Sequence, residues 1–102
     1  MVALSDDAES VRAAAADAIG KVFGYVEQPP AHRRADVTAA LLRRWRVEES
    51  DAVRSTLAQT LALVGDPSVR AALESAVDHP DRRVRGQAAW GLRHLANLAR
   101  PP

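Results

Sequence analysis

Apolar residues recur along this chain at offsets of four and eight behind a repeated Val-Arg pair. The pair is Val11-Arg12 in SVRAAAADAIG, Val53-Arg54 in AVRSTLAQTLA and Val84-Arg85 in RVRGQAAWGL. Four positions after each Val stand Ala15, Leu57 and Ala88; eight positions after stand Ile19, Leu61 and Leu92. Those offsets share one face of an α-helix and do not fit the two-residue period of a strand. Acidic residues lie just upstream each time: Asp6 and Asp7, Glu48 and Glu49, Asp78 and Asp81. One amphipathic helix written three times in a short chain indicates a repeat architecture. Such arrays work by presenting a surface.

The pattern predicts five helices. The first spans about Asp7 to Val22, with Ser5 or Asp6 as its N-cap and Gly20 and Gly24 weakening its end. Pro29 and Pro30 in GYVEQPP break the chain. The second covers about Ala31 to Arg46, with Val37, Ala40, Leu41 and Trp45 (or Arg44) at helical spacing. The acidic stretch EESD separates it from the third, about Asp51 to Val64. Gly65-Asp66-Pro67 is the strongest punctuation, with Gly suited to a helix C-terminus, Asp to an N-cap and Pro to a first helical position. A fourth helix follows over about Pro67 to Val77, then a turn at Asp78-His79-Pro80 and a fifth helix from about Asp81 to Ala99. The expected core is Val11, Ala15, Ile19, Leu41, Val53, Leu57, Leu61, Leu73, Val84, Ala88 and Leu92.

Val53 and Val84 are 31 positions apart and Val11 and Val53 are 42 apart, a helix-pair period. The fold class is therefore all-α, a short α-solenoid of antiparallel helix pairs wound as a right-handed superhelix. One domain over 1–102 divides into a half repeat at 1–28 and repeats at 29–65 and 66–100, and the chain reads equally as a segment of a longer array. The first repeat lacks a leading helix, which leaves an open N-terminal face.

The stretch LVGDPSVRAALESAVDHPDRRVRGQAAWGLRHLAN resembles a HEAT-like repeat of the phycobilisome-lyase type. The residues that carry the likeness are Gly65-Asp66-Pro67, Leu73, the turn Asp78 to Asp81, Val84-Arg85, Ala88-Ala89 and Leu92. AVRSTLAQTLALVG and SVRAAAADAIGKV look like the second helices of the two preceding repeats. Two departures stand out: Arg93 where the family often has Gly, and Gly91 where it often has Ala. The resemblance implies a stack whose second helices line a concave inner surface. It says little about activity, because fold and function are separable.

Composition narrows the field further. Apolar residues make up 47% but aromatics only 4%, so the core is built from Ala, Leu and Val. No apolar run approaches the roughly 20 residues that span a bilayer. The start, MVALSDDAES, lacks the basic and apolar regions of a secretory signal. There is no Cys, hence no disulfide, thiolate metal site or thiol nucleophile. These features suggest a cytoplasmic protein. The net charge of +1 does not mark a nucleic-acid binder.

Four groups of residues are candidates for chemistry. Arg12, Arg54 and Arg85 border core positions and face the acidic turns, which suggests a ladder of Arg–carboxylate bonds between repeats. Asp17, Gln59 and Trp90, six positions after each Val, point away from the apolar stripe. With Ala13, Thr56, Gln87, Lys21 and His94 they form a candidate partner-binding face, in which Trp90 is the natural anchor. Residues 31–46 carry Arg33, Arg34, Arg43, Arg44 and Arg46 beside Trp45, a set able to contact phosphates. Against that stand the near-balanced charge and the acids at Glu48 and Glu49, which favour a solvated face. His32, His79 and His94 lack metal-ligand spacing, and no nucleophile, base or oxyanion set is recognisable.

The reading is a non-enzymatic protein-interaction scaffold with no cofactor and no metal, and no membrane partner. Its partner is a protein, and a second copy could dock through the open N-terminal face. The alternatives are a nucleic-acid-binding module using residues 31–46 and a bilin-lyase-like accessory role, for which five helices are too short to enclose a tetrapyrrole.

Overall fold

A computed structural model of the chain describes residues 2–25 and 30–98. The expected break at Pro29, the repeat boundary between residues 28 and 29, and the helix end at Ala99 lie outside the described residues. A 3-10 turn at Val2–Ser5 precedes α1 (Glu9–Tyr25). Then come α2 (Ala31–Val47), α3 (Asp51–Val64), a 3-10 turn at Pro67–Val69 leading into α4 (Arg70–Ala76), and α5 (Arg82–Leu98). The described residues contain no strand.

The local chemistry explains the boundaries. Ser50 caps α3, its hydroxyl accepting from the Val53 amide at 3.3 Å. Gly65 ends α3 at φ 76°, the left-handed conformation that costs a Cβ-bearing residue most. Asp66 then accepts from the Ser68 amide at 2.9 Å, and Pro67 opens a 3-10 turn before the α-helical bonds begin at Arg70. The fourth helix is thus shorter than its pattern suggests. α1 runs on past Val22 to Tyr25, because Gly20 and Gly24 face Thr60 and Leu63 of α3 and permit the close approach.

α1, α3 and α5 pack side by side as one layer. On its other side α2 lies on α3 and α4 on α5, while α2 and α4 scarcely touch. The result is a short helical solenoid. Leu41 and Trp45 of α2 meet Val53, Leu57, Leu61 and Val64 of α3; Val69, Leu73 and Ala76 meet Val84, Ala88 and Leu95. Of the expected core, Leu41, Val53, Leu57, Leu61, Leu73, Val84 and Ala88 are fully buried.

The first helix departs from expectation. Val11 is 40% exposed, and Ala15 and Ile19 are only partly covered. Ala16, Gly20 and Phe23 are the buried positions instead. In α3 and α5 the Val row is covered by α2 and α4. In α1 the same row has only the turn around Leu4 near it, so burial shifts to the side that meets α3. Leu92 is also only half-buried, because Gly91 and Leu95 take the inward places on α5.

Candidate interaction surface

Each Val-Arg arginine folds back over the turn before its own helix. Arg12 Nη1 donates to the carbonyls of Asp6 (2.9 Å) and Asp7 (3.0 Å), and Arg85 Nη1 to those of His79 (2.9 Å) and Pro80 (2.8 Å). Arg54 Nε donates to the Glu48 carbonyl at 2.8 Å. The shared role is to fix the inter-helix turn. Among the described residues the expected ladder of Arg–carboxylate bonds between repeats has one rung. Arg12 holds Glu48 through Nε (2.9 Å) and Nη2 (3.1 Å), whereas Arg54 lies over the Trp45 ring at 4.8 Å.

Sequence reasoning placed Glu48 in an acidic turn facing the Val-Arg row and missed its burial. Its carboxylate is completely buried, yet it accepts from Arg12, from Arg44 Nε (3.1 Å) and from the Ser50 amide (3.0 Å). Burial opposes its ionisation most. The hydrogen bonds from Arg12 and the Ser50 amide and the charges of Arg44 and Arg12 outweigh that, and hold the carboxyl below its ordinary range. The signal was present in the spacing: Thr38, Leu41, Trp45 and Glu48 continue one stripe at steps of three and four, and all four are buried.

The residues nominated for the partner face lie on α1, α3 and α5. Asp17 is exposed and paired with Lys21 at 3.1 Å. Thr56 and Gln59 on α3, and Gln87, Trp90 and His94 on α5, are half-buried. Thr56 bonds back to the Ala52 carbonyl at 3.3 Å. Trp90 stacks on His94 with ring centroids 5.0 Å apart and planes 13° from parallel. Trp90 therefore leans on the core and on His94 at once, and with Gln87, Gly86, Arg82 and Arg83 it lines an open groove. Gly24, Leu63 and His94 line a second groove together with Arg34 of α2 and Leu98.

The arginines of α2 divide between exposed and engaged positions. Arg33, Arg43 and Arg46 are exposed, the last two one turn apart on the same face of α2. Arg34 is half-buried and lies close enough to Asp66 to favour its ionised form. Arg44 is bound to Glu48. Trp45, the aromatic on which a base could stack, is buried beneath Arg54. Among the described residues no three His, Cys, Asp or Glu side chains gather as metal ligands, and no helix is long and apolar enough to cross a membrane.

The family profile for HEAT repeats matches residues 35–100, from within α2 through α5. No curated protein and no solved structure matches the chain.

Proposed function

The chain belongs to the HEAT-repeat family, and from that premise we propose that it is a protein-interaction scaffold that docks its partner on the concave face of α1, α3 and α5, the one turned away from α2 and α4. HEAT repeats generally serve as protein-interaction scaffolds. In this reading α1 is a half repeat, and α2–α3 and α4–α5 are the two full ones. The phycobilisome-lyase-type pattern at Gly65-Asp66-Pro67 and Val84-Arg85 supports the same architecture and adds no chemistry of its own.

The observation that carries the proposal is the Trp90–His94 stack. A tryptophan half-covered by its own helix and backed by a second ring is already ordered. It offers a large contact area for little further entropy loss. Gln59 and Gln87 beside it supply hydrogen-bonding edges without the desolvation cost of charges. Close packing of α1, α3 and α5 against a looser α2–α4 side favours a surface curved toward this face.

Affinity capture from native lysate, with wild type, Trp90→Ala and Arg46→Ala side by side, tests this. A partner bound through the proposed face loses at least about 2 kcal/mol on truncation of Trp90. It keeps its affinity for Arg46→Ala, which lies on the opposite layer. A partner retained equally by wild type and Trp90→Ala removes Trp90 from the anchor role, and one lost only with Arg46→Ala moves the docking site to α2.

A further inference from the structure

We propose that the chain also stacks head to tail on a second copy of itself, with the outer side of α5 in one copy against the outer side of α1 in the next. The two ends repeat the parts of a junction that the molecule already contains. At that inner junction, the turn before α3 offers Glu48, which accepts from the amide two residues on (Ser50), and Arg12 of α1 grips it through Nε and Nη2.

The end formed by α5 carries the arginine half of such a junction. Arg85 occupies the repeat position of Arg12, and its Nη1 binds the carbonyls five and six residues earlier in the same way. Its Nε–Nη2 edge, the one Arg12 turns to Glu48, meets no carboxylate among the described residues. The end formed by α1 carries the acidic half. Asp6 stands 42 positions before Glu48, and it too accepts from the amide two residues on, Ala8, at 2.8 Å. In a stacked pair Arg85 meets Asp6 of the second copy.

The surrounding charges agree. Glu9 and Asp51, at the starts of α1 and α3, reach the next turn at Ser50 (2.6 Å) and His79 (3.8 Å). The matching residue on α5 is Arg82, opposite which a second copy presents Asp6 and Asp7. An acid meets a hydroxyl or an imidazole at the two inner contacts, whereas the stacked contact sets a base against acids. Asp81 in the same region is already bound to Arg83 and to the helix start.

Shape is compatible as well. The outer side of α1 shows Val11, Val22, Ala14 and Ala18, all exposed, and that of α5 shows Gly86, which has open space around it, with Ala89 and Ala96. Arg93 stands where the inner junctions hold Gly20 and Ala62. Gly20 meets Thr60 and Leu63 of α3, whose counterparts on the outer side of α1 are Ala18 and Lys21; Ala18 is smaller than Thr60 and leaves room for the long side chain, and Lys21 is paired with Asp17. Because the two surfaces differ, the contact is heterologous and propagates.

Sedimentation of the full chain across a concentration series reaching the millimolar range tests this, using wild type, Ala18→Arg and Ala89→Arg. The expected result is a wild-type mass that grows with concentration beyond two copies, and each variant monomeric alone. Ala18→Arg mixed with Ala89→Arg should form a one-to-one pair that grows no further, through the intact α5 end of the first and the intact α1 end of the second. A monomer at every concentration, growth that stops at a dimer, or a mixture that forms no pair overturns the proposal. If either variant melts far below wild type, the charge exchange decides instead. Arg85→Asp and Asp6→Arg should each weaken association and the double variant restore it; no restoration rejects the junction. Both outcomes are independent of Trp90 and of any other partner.

Discussion

Arg12 and Glu48, 36 positions apart, form a two-pronged ion pair at 2.9 and 3.1 Å that closes the junction between α1 and α3. Arg44 and the Ser50 amide occupy the remaining acceptor sites of the buried carboxylate. Removing one side of a buried, fully bonded pair leaves the other charge without compensation. Arg12→Ala, which leaves the buried carboxylate with one arginine fewer, should cost more than Glu48→Ala, which leaves two partly exposed arginines. Glu48→Ala should still cost about 1–3 kcal/mol, and the pair should be strongly non-additive in a double-mutant cycle. Urea unfolding measures both. A loss from Glu48→Ala below about 1 kcal/mol, the range of exposed pairs, shows that the junction does not depend on this contact.

Three acids in the fold are held below their ordinary ionisation range. For Glu48, burial works against this and the Arg12 bond, the Ser50 amide and the nearby charges prevail. For Asp66 the Ser68 hydroxyl and amide act first, and for Asp81 the Arg83 side chain. A carboxyl with a lower folded than unfolded pKa takes up its proton more readily once the chain unfolds. Its stabilisation is complete above the unfolded values, near 4.5 for Glu and 3.8 for Asp, and drains away as pH falls through them toward the folded ones. The urea midpoint should thus drop as the pH is taken below the Glu value. Glu48→Gln should flatten the upper part of that drop. An acid limb unchanged by Glu48→Gln assigns it to the aspartates.

Two glycines on one helix should respond with opposite signs to the same substitution. A Cβ at Gly91 lies 3.0 Å from the Ala62 Cβ and 3.2 Å from Leu73 Cδ1, and Ala62 has no freedom to move aside. Gly91→Ala should cost about 1–3 kcal/mol through overpacking, more than the helix propensity it gains. Gly86 has open space around it, so Gly86→Ala should gain about 0.5–1 kcal/mol by propensity alone. Thermal melts at low protein concentration, where self-association is negligible, compare them. Stabilisation by Gly91→Ala means that α3 and α5 are not as closely apposed as this spacing requires.

The repeat was legible because its signals are local. Ser50, Gly65 and Asp66 act within a few residues of themselves, and the bounds of α3 follow from them. What escaped depends on neighbours distant in the chain. Val11, Ala15 and Ile19 carry the same pattern as Val53, Leu57 and Leu61, but burial requires a helix laid across them, and periodicity does not report one. Glu48 looked like part of a solvated acidic turn, since its chemistry is set by an arginine 36 residues away. Trp45 looked like a companion to the basic residues of α2 and is instead buried, beneath Arg54 of α3. The nomination of Asp17, Gln59 and Trp90 rests on helical phase alone, six positions after each Val. The Trp90–His94 stack follows from the four-residue spacing of the two rings.

Two buried threonines provide a final comparison. Thr60 of α3 donates its hydroxyl proton to the Ala16 carbonyl of α1 at 2.8 Å, a cross-helix bond beside Gly20. Thr38 of α2 is equally buried, yet its hydroxyl has no hydrogen-bond partner among the described residues. Valine has nearly the same outline and no polar atom, so Thr→Val isolates the hydroxyl in each case. At Thr60 the exchange removes a made bond and should cost about 1 kcal/mol. At Thr38 it relieves an unpaired, desolvated group and should gain about 1 kcal/mol. Melting temperatures of the two single variants, measured in the same buffer, decide the matter. Shifts of the same sign would show either that Thr38 has a hydrogen-bond partner in solution or that Thr60 does not hold α1.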